Sequence, residues 1–253
     1  MINYFWNKIK KIYQIKNYDF KFYNTKQNQI YKKNKLSRLL GIKKLRNVLD
    51  YLSISPKRIE EHQIILSAIS INKPNYKNIL EIGTSDGQNS LILSNLFKHA
   101  KIHTIDLRID KSYPSHFFKG YVRNNKLFQD ARNSNIRNNK NIIFKNLNSL
   151  KLLNFKNTFY DLVWIDGNHM DPYVTVDIIN SLRLTKKGSI ILLDDVVNKN
   201  FKSSDFVNQD SLITLTKLKE QRLLKFDLFF KNLESHKNYS EVIRKHIALI
   251  KKF

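Results

Sequence analysis

From residue 78 onward the chain consists of short, unbroken apolar runs set apart by helical stretches, and this pattern limits the fold more than any other feature. The runs are Ile79-Leu80-Glu81-Ile82, Ile102-His103-Thr104-Ile105, Ile142-Ile143-Phe144, then residues 160–165, 189–193, 223–230 and 247–250. A strand with one wet face alternates apolar with polar residues, whereas a strand covered on both faces reads as a continuous apolar run. Segments 89–97 and 173–182 are long enough to serve as crossover helices between such strands. The expected fold is α/β: a doubly wound, Rossmann-like, mostly parallel seven-stranded sheet with ligands at the carboxyl ends of its strands. The final two runs, joined by the stretch around 231–244, are expected to form an antiparallel edge.

The N-terminal part has a different texture. Residues 1–35 read as a basic, aromatic-rich arm, with Ile2, Phe5, Trp6, Ile9, Ile12 and Tyr13 near one helical face. That face is narrow and interrupted by lysines, so the arm is expected to serve substrate closure or self-association, a homodimer included, more than the core. Residues 36–72 read as N-terminal helices. Leu36, Leu39, Leu40, Leu45, Val48, Leu49 and Leu52 recur at helical spacing, and a further helix is expected to start at Ser55-Pro56 and run toward Ile69. Residues 73–253 would then be the Rossmann-like domain.

Composition removes several classes of function. The 253 residues contain no Cys, which excludes disulfides, thiolate nucleophiles and cysteine-based zinc sites and favours a reduced, cytoplasmic setting. No apolar run approaches the eighteen residues of a transmembrane segment, and the first residues lack a signal-peptide core. The formal net charge is +24, and residues 1–60 hold fifteen Lys/Arg against three Asp/Glu, a net of +12. Such a segment could grip nucleic-acid phosphates or an anionic membrane. The chain is rich in Lys, Asn and Ile throughout, however, and solvated surface lysines account for the charge as well.

The first strand runs into Glu81-Ile-Gly83-Thr84-Ser85-Asp-Gly87-Gln-Asn89-Ser90. Gly83 and Gly87 permit a tight turn and close backbone approach of a ligand, and the following helix points its free N–H groups back at the turn. The loop has no Gly-x-Gly-x-x-Gly and no P-loop lysine, which disfavours pyrophosphate. The second strand ends in Asp106, roughly twenty residues past the turn, where a carboxylate can accept hydrogen bonds from a ribose diol.

Taken together, ILEIGTSDGQNSLIL, IHTIDL, YDLVWIDGNH and GSIILLDDV resemble the class I S-adenosylmethionine-dependent methyltransferases, and most closely their small-molecule O-methyltransferase-like branch. The resemblance covers about residues 55–251. It implies that the backbone around Gly83, Thr84, Ser85 and Gly87 and the side chains of Asn89 and Ser90 face the methionine part of S-adenosylmethionine, with Glu81 also among the cofactor-binding residues. Asp106 would take the ribose, Asn148 and Ser149 would lie beside adenine, and Asp166 would sit near the reacting centre. In metal-dependent members of that branch, positions like Asp166, Asp194 and Asp195 hold a divalent cation, so Mg²⁺ is a second candidate cofactor, although Asp-Asp here stands where the motif usually ends in Asp-Asn. His169, three residues past Asp166, is the candidate general base for a hydroxyl acceptor. The alternative role for His169 is to hydrogen-bond a neighbouring carboxylate and shape the loop.

Asp171-Pro172-Tyr173 is similar to the Asp-Pro-Pro-Tyr of methyltransferases acting on base or amide nitrogens. It lacks the second proline and lies five residues past Asp166, so Asp171 is expected to cap a helix. The other histidines (His62, His99, His103, His116, His236, His246) have no metal-binding spacing and read as surface or packing residues. The aromatic, basic stretch 111–129 (Tyr113, His116, Phe117, Phe118, Tyr121, Arg123) is a candidate substrate lid or a packed loop. The leading expectation is a methyltransferase acting on a hydroxyl of a small molecule, a sugar or secondary metabolite. An RNA methyltransferase using the basic arm, or a non-catalytic cofactor-binding protein, would show the same motifs.

Overall fold

The computed structural model describes residues 20–55, 59–107, 125–155, 159–197, 209–231 and 245–253. The first half of the expected arm, Pro56, the expected lid residues 113–123, His116 and His236 lie outside these. Seven strands form one sheet in the order β3-β2-β1-β4-β5-β7-β6. They are β1 (Asn78–Ile82), β2 (Lys101–Asp106), β3 (Ile142–Asn146), β4 (Tyr160–Ile165), β5 (Thr185–Val197), β6 (Leu224–Phe230) and β7 (Lys245–Lys252). Strands β1 to β5 pair in parallel, and β7 is antiparallel to both β5 and β6. The expected mixed sheet with an antiparallel edge is thus present. Because β7 runs backward, the end of β6 and the start of β7 both reach the edge at which β1, β4 and β5 end.

The apolar runs are continuous because alternate residues enter two separate cores. Ile79, Leu162, Trp164, Ile190, Leu192, Ile247 and Leu249 face one side. Leu80, Val163, Ile165, Ile191, Leu193, Ala248 and Ile250 face the other. On the first side the sheet is covered by α1 (Phe20–Lys33), α2 (Arg38–Tyr51), α3 (Glu61–Asn72) and α4 (Gln88–Leu96). Also on this side, α5 (Asn125–Arg137) adds Ile136. The second side is covered by a short 3₁₀ helix (Ser149–Asn154), α6 (Tyr173–Arg183) and α7 (Asp210–Glu220), through Leu152, Val174, Ile178 and Leu215.

Three expectations about the helices are corrected. Helix α3 begins at Glu61 and not near Ser55: Glu60 is its N-cap, and the Glu60 N–H donates to Gln63 Oε1 at 3.3 Å. In α2 the buried face is Gly41, Leu45 and Leu49, whereas Leu39 and Leu40 are exposed. Gly41 is on that face because a Cβ there would lie 2.7 Å from the Ile64 carbonyl oxygen of α3, so glycine sets how closely the two helices pack. Finally, α6 is preceded by Pro172 as N-cap, while the Asp171 carboxylate accepts from the Thr175 hydroxyl.

Residues 20–35 do not stand apart from the core, contrary to the expectation for the arm. Tyr31 of α1 is fully buried, packs edge-on against Phe229 of β6 with ring centroids 4.9 Å apart, and donates to Glu61 Oε1 at 2.8 Å. Arg38 holds the same carboxylate through two hydrogen bonds of 2.8 Å. Gln27 bonds both the N–H and the carbonyl of Phe230, covering the open edge of β6. Lys21, Lys26, Lys32 and Lys33 of the helix are exposed, and Gln27 and Tyr31, one turn apart, are buried. Tyr31→Ala is accordingly expected to destabilise the protein by about 3 kcal/mol or more, the usual effect of emptying a large aromatic site. Urea unfolding checks this, and a loss below about 1 kcal/mol would show that α1 is dispensable.

Candidate active site

The turn after β1 is fixed from three directions. The Gly83 N–H donates to the Ile105 carbonyl of β2 at 2.9 Å, the Asp166 N–H donates to the Ile82 carbonyl at 2.8 Å, and the Ser85 N–H donates to Asp106 Oδ2 at 2.9 Å. Gly83 has φ +98, and a Cβ there would lie 2.2 Å from the Asp166 carbonyl oxygen. The approach of the turn to the end of β4 therefore demands glycine.

Below the turn lies a polar core. Glu81 is fully buried in β1 and accepts from Asn89 Nδ2 (2.7 Å), Thr104 Oγ1 (2.6 Å) and the Ser90 hydroxyl. The Thr84 hydroxyl is 2.7 Å from that of Thr104. Glu81, Thr84 and Ser90 thus reach inward and join β1, β2 and the start of α4. They shape the loop from beneath, and the expected direct contact of Ser90 with methionine does not fit a hydroxyl that is buried against Glu81. Burial pushes the Glu81 pKa up to about 7, against the pull of its three hydrogen-bond donors.

Asp106 lies at the rim, with Oδ2 bonded to Ser85 N–H, Oδ1 bonded to Leu107 N–H at 2.8 Å, and Arg132 Nη1 of α5 3.9 Å away. Burial raises its pKa while those N–H groups and Arg132 oppose the shift. Two N–H bonds leave acceptor places on each oxygen of a carboxylate, so the group fits a ribose diol. Asn148 caps the 3₁₀ helix by accepting the Leu150 N–H at 3.0 Å, and the Ser149 carbonyl accepts from Asn180 of α6. The Asn89 Oδ1 atom is buried and has no hydrogen-bond partner among the described residues. These features are compatible with a nucleoside at the Asp106 side and a polar group near Asn89.

A second cluster occupies the carboxyl edge of β4 and β5. His169 Nε2 lies 3.6 Å from Asp166 Oδ1, an ion-pair distance beyond hydrogen-bond reach. Its Nδ1 has no partner among the described residues. Burial lowers the pKa of His169, but Asp166, Asp195 and Asp194 outweigh it and the net shift is upward. The protein around Asp166 disfavours its charge, yet His169, Lys231 and His62 hold its pKa below the ordinary value. The register of β5 against β7 shifts between Leu193 and Val196, and Asp195 adopts φ +50. In a regular strand, successive side chains would leave by opposite faces. At this bulge both Asp194 and Asp195 meet the Lys231 ammonium, and Asp195 also meets Lys245.

The three acids expected to hold Mg²⁺ are therefore not arranged for it. A lysine ammonium already bridges Asp194 and Asp195, and Asp166 is paired with His169. Among the described residues no group of three or more His, Asp or Glu could hold a metal ion. The donor set does not fit a divalent cation.

Sequence reasoning missed Lys231, Lys245, Glu60 and the placement of His62. His62 of α3 stacks on Trp164 with centroids 4.9 Å apart, which is the packing role expected, but its Nδ1 also lies 3.2 Å from Glu60 Oε2. Burial lowers its pKa, and Glu60, Asp194 and Asp166 raise it further than burial lowers it. The available signal was topological. With the last strand antiparallel, Lys231 just past β6 and Lys245 opening β7 must arrive at the edge where Asp194 lies.

Residues 80–196 match the family model described as a methyltransferase domain. The cofactor-bound protein Rv0187 from MTB is 15% identical, with a TM-score of 0.54, over 84% of this chain and 89% of that one. An O-methyltransferase from Bacillus cereus in complex with SAH is 17% identical, with a TM-score of 0.50, over 83% of this chain and 91% of that one. Comparison with curated proteins finds no match. Among the described residues no helix is long and apolar enough to cross a membrane. Over residues 80–196, from β1 to β5, the chain is similar to a methyltransferase domain, the stretch that carries the motifs of the turn, Asp106 and the acidic strand ends.

The Glu81 shift has a measurable consequence. Its folded pKa, about 7, lies above the ordinary 4.5, so the protonated carboxyl stabilises the fold below about pH 4.5 and that contribution is lost as pH rises through about 7. At about 1.4 kcal/mol per unit the whole effect is about 3 kcal/mol. Urea unfolding of the cofactor-free protein should show Glu81→Gln losing less stability than the wild type between about pH 5 and about pH 8. Equal losses in the two proteins would show that Glu81 is ionised in the fold.

Proposed function

We propose that the protein transfers a methyl group from S-adenosylmethionine to a hydroxyl of a small molecule, a sugar or secondary metabolite. The observation that supports this most is the His169–Asp166 pair at the end of β4, beside the Gly83 turn, with His169 Nδ1 left without a partner among the described residues. Gly83, Ser85, Gly87, Asp106, Asn148 and Ser149 would hold the cofactor, which when bound supplies a methyl group already activated on a sulfonium. The protein's own contribution is to orient the acceptor, exclude water and take up a proton.

His169 is suited to the last of these. Asp166 faces one ring nitrogen and stabilises the imidazolium formed when the other takes the acceptor proton. A hydroxyl gains much from such a base, whereas an amine, already nucleophilic, gains little. The upward pKa shift means that His169 is the protonated, inactive form over a wider range than a free imidazole, so kcat should rise with pH through a value above 6.5.

The reading is tested by following S-adenosylhomocysteine release on a panel of hydroxyl, amine and RNA acceptors. Turnover on a hydroxyl compound is the expected result, and turnover confined to amines or RNA would overturn it. On the hydroxyl acceptor, His169→Ala should lower kcat by about 10²-fold or more and flatten the rise with pH, leaving cofactor affinity intact. A variant with near wild-type rate and an unchanged pH profile would remove His169 from the proton transfer.

A further inference from the structure

The acidic edge formed by Asp166, Asp194 and Asp195 needs positive charge, and the fold supplies it from a distant part of the chain. Lys231 follows the last residue of β6, whose backbone is tied to β7 through the Lys231 N–H and the Lys245 carbonyl at 3.0 Å. Its ammonium contacts Asp194 Oδ2 and lies 2.6 Å from Asp195 Oδ1. All three side chains are largely buried, with relative exposures of 16% for Lys231, 4% for Asp194 and 12% for Asp195. Removing an ammonium from water is unfavourable unless several acceptors surround it, which explains why two carboxylates converge on this one. Their attraction outweighs burial and holds the Lys231 pKa well above its ordinary value, with Asp166 adding to the pull.

Asp194 Oδ1 is buried and has no hydrogen-bond partner among the described residues, and the same holds for His169 Nδ1. An ammonium carries three N–H groups, of which the two aspartates take two. The cluster thus keeps open polar positions while its charge is already balanced from within.

We propose that Lys231 occupies the place of a divalent cation in this site, as a positioning residue that holds Asp194 and Asp195 together and makes the acceptor side independent of metal. The assignment rests on the methyl-transfer reading only for the name of the site; the competition between ammonium and metal for the same carboxylates is a property of the cluster. Mg²⁺ and Mn²⁺ bind carboxylate oxygens in an octahedral set, and an ammonium bonded to those oxygens blocks it.

Removing the ammonium should therefore create a metal site. Titrating Mn²⁺ alone into the full-length protein, with free Mn²⁺ read by electron paramagnetic resonance, should show no saturable site in the wild type up to about 1 mM. Lys231→Met keeps the apolar stem and removes the charge, and should bind Mn²⁺ at least about tenfold more tightly than the wild type, while Lys231→Arg should not. If Lys231→Met does not fold alone, Mn²⁺ should restore its cooperative thermal unfolding. A saturable Mn²⁺ site in the wild type would overturn the assignment. So would a Lys231→Met protein that shows neither tighter Mn²⁺ binding nor rescue of folding by Mn²⁺. A purely structural lysine predicts loss of stability and no gain of metal affinity. S-adenosylhomocysteine binding, measured separately on the same samples, reports on the methyltransferase reading, so the two failures remain distinguishable.

Discussion

The buried carboxyl of Glu81 is the interaction on which the cofactor side of the molecule depends. It sits in β1, the centre of the parallel part of the sheet, and gathers Asn89 and Ser90 from the start of α4 and Thr104 from β2. A group of this kind is unfavourable when buried unless its hydrogen bonds are made, so the turn can close only in the conformation that brings all three donors to it. That conformation brings Gly83 against the Asp166 backbone and Ser85 against Asp106. The loop, the Asp106 carboxylate and the end of β4 are positioned together.

At the other end of the site the governing constraint is charge balance. Glu60, Asp166, Asp194 and Asp195 share their surroundings with Lys231, Lys245 and the imidazoles of His62 and His169. Asp194 is the least comfortable of these acids. Burial and the neighbouring Asp166 push its pKa up to about 6, although Lys231 touches it. Asp195, held by both lysines and by His169, is instead kept far below the ordinary carboxylate value. Both imidazoles are shifted toward their charged forms by the same surplus of acid. The positive charge that the described residues bring to this edge comes from lysine ammoniums and imidazoles.

Much of this was legible in the sequence. The seven apolar runs identify the seven strands, most clearly the central ones that are buried on both faces, and Gly83 marks a turn that approaches another backbone. What the sequence concealed depends on tertiary contact. Ser90 and Thr84 have residue types that suit ligand binding, and only the position of Glu81 shows that they face inward. Asp194-Asp195 reads as a metal motif until the β5 bulge and the antiparallel β7 bring two lysines to it from 36 and 50 residues away. Residues 1–35 read as a peripheral arm because lysines interrupt the apolar face of its first thirteen residues, yet Tyr31 and Gln27 tie the described helix α1 to the core.

On the proposed function, the Gly83 turn and Asp106 together form a nucleoside site for S-adenosylmethionine. Calorimetric titration of S-adenosylhomocysteine into the wild type and into Asp106→Ala tests it most directly. The account predicts one site per chain in the wild type, with affinity weakened in the variant by about 1–3 kcal/mol, the usual consequence of leaving buried hydrogen-bonding groups unpaired. Absence of binding to the folded wild type, or equal affinity in both proteins, would contradict it.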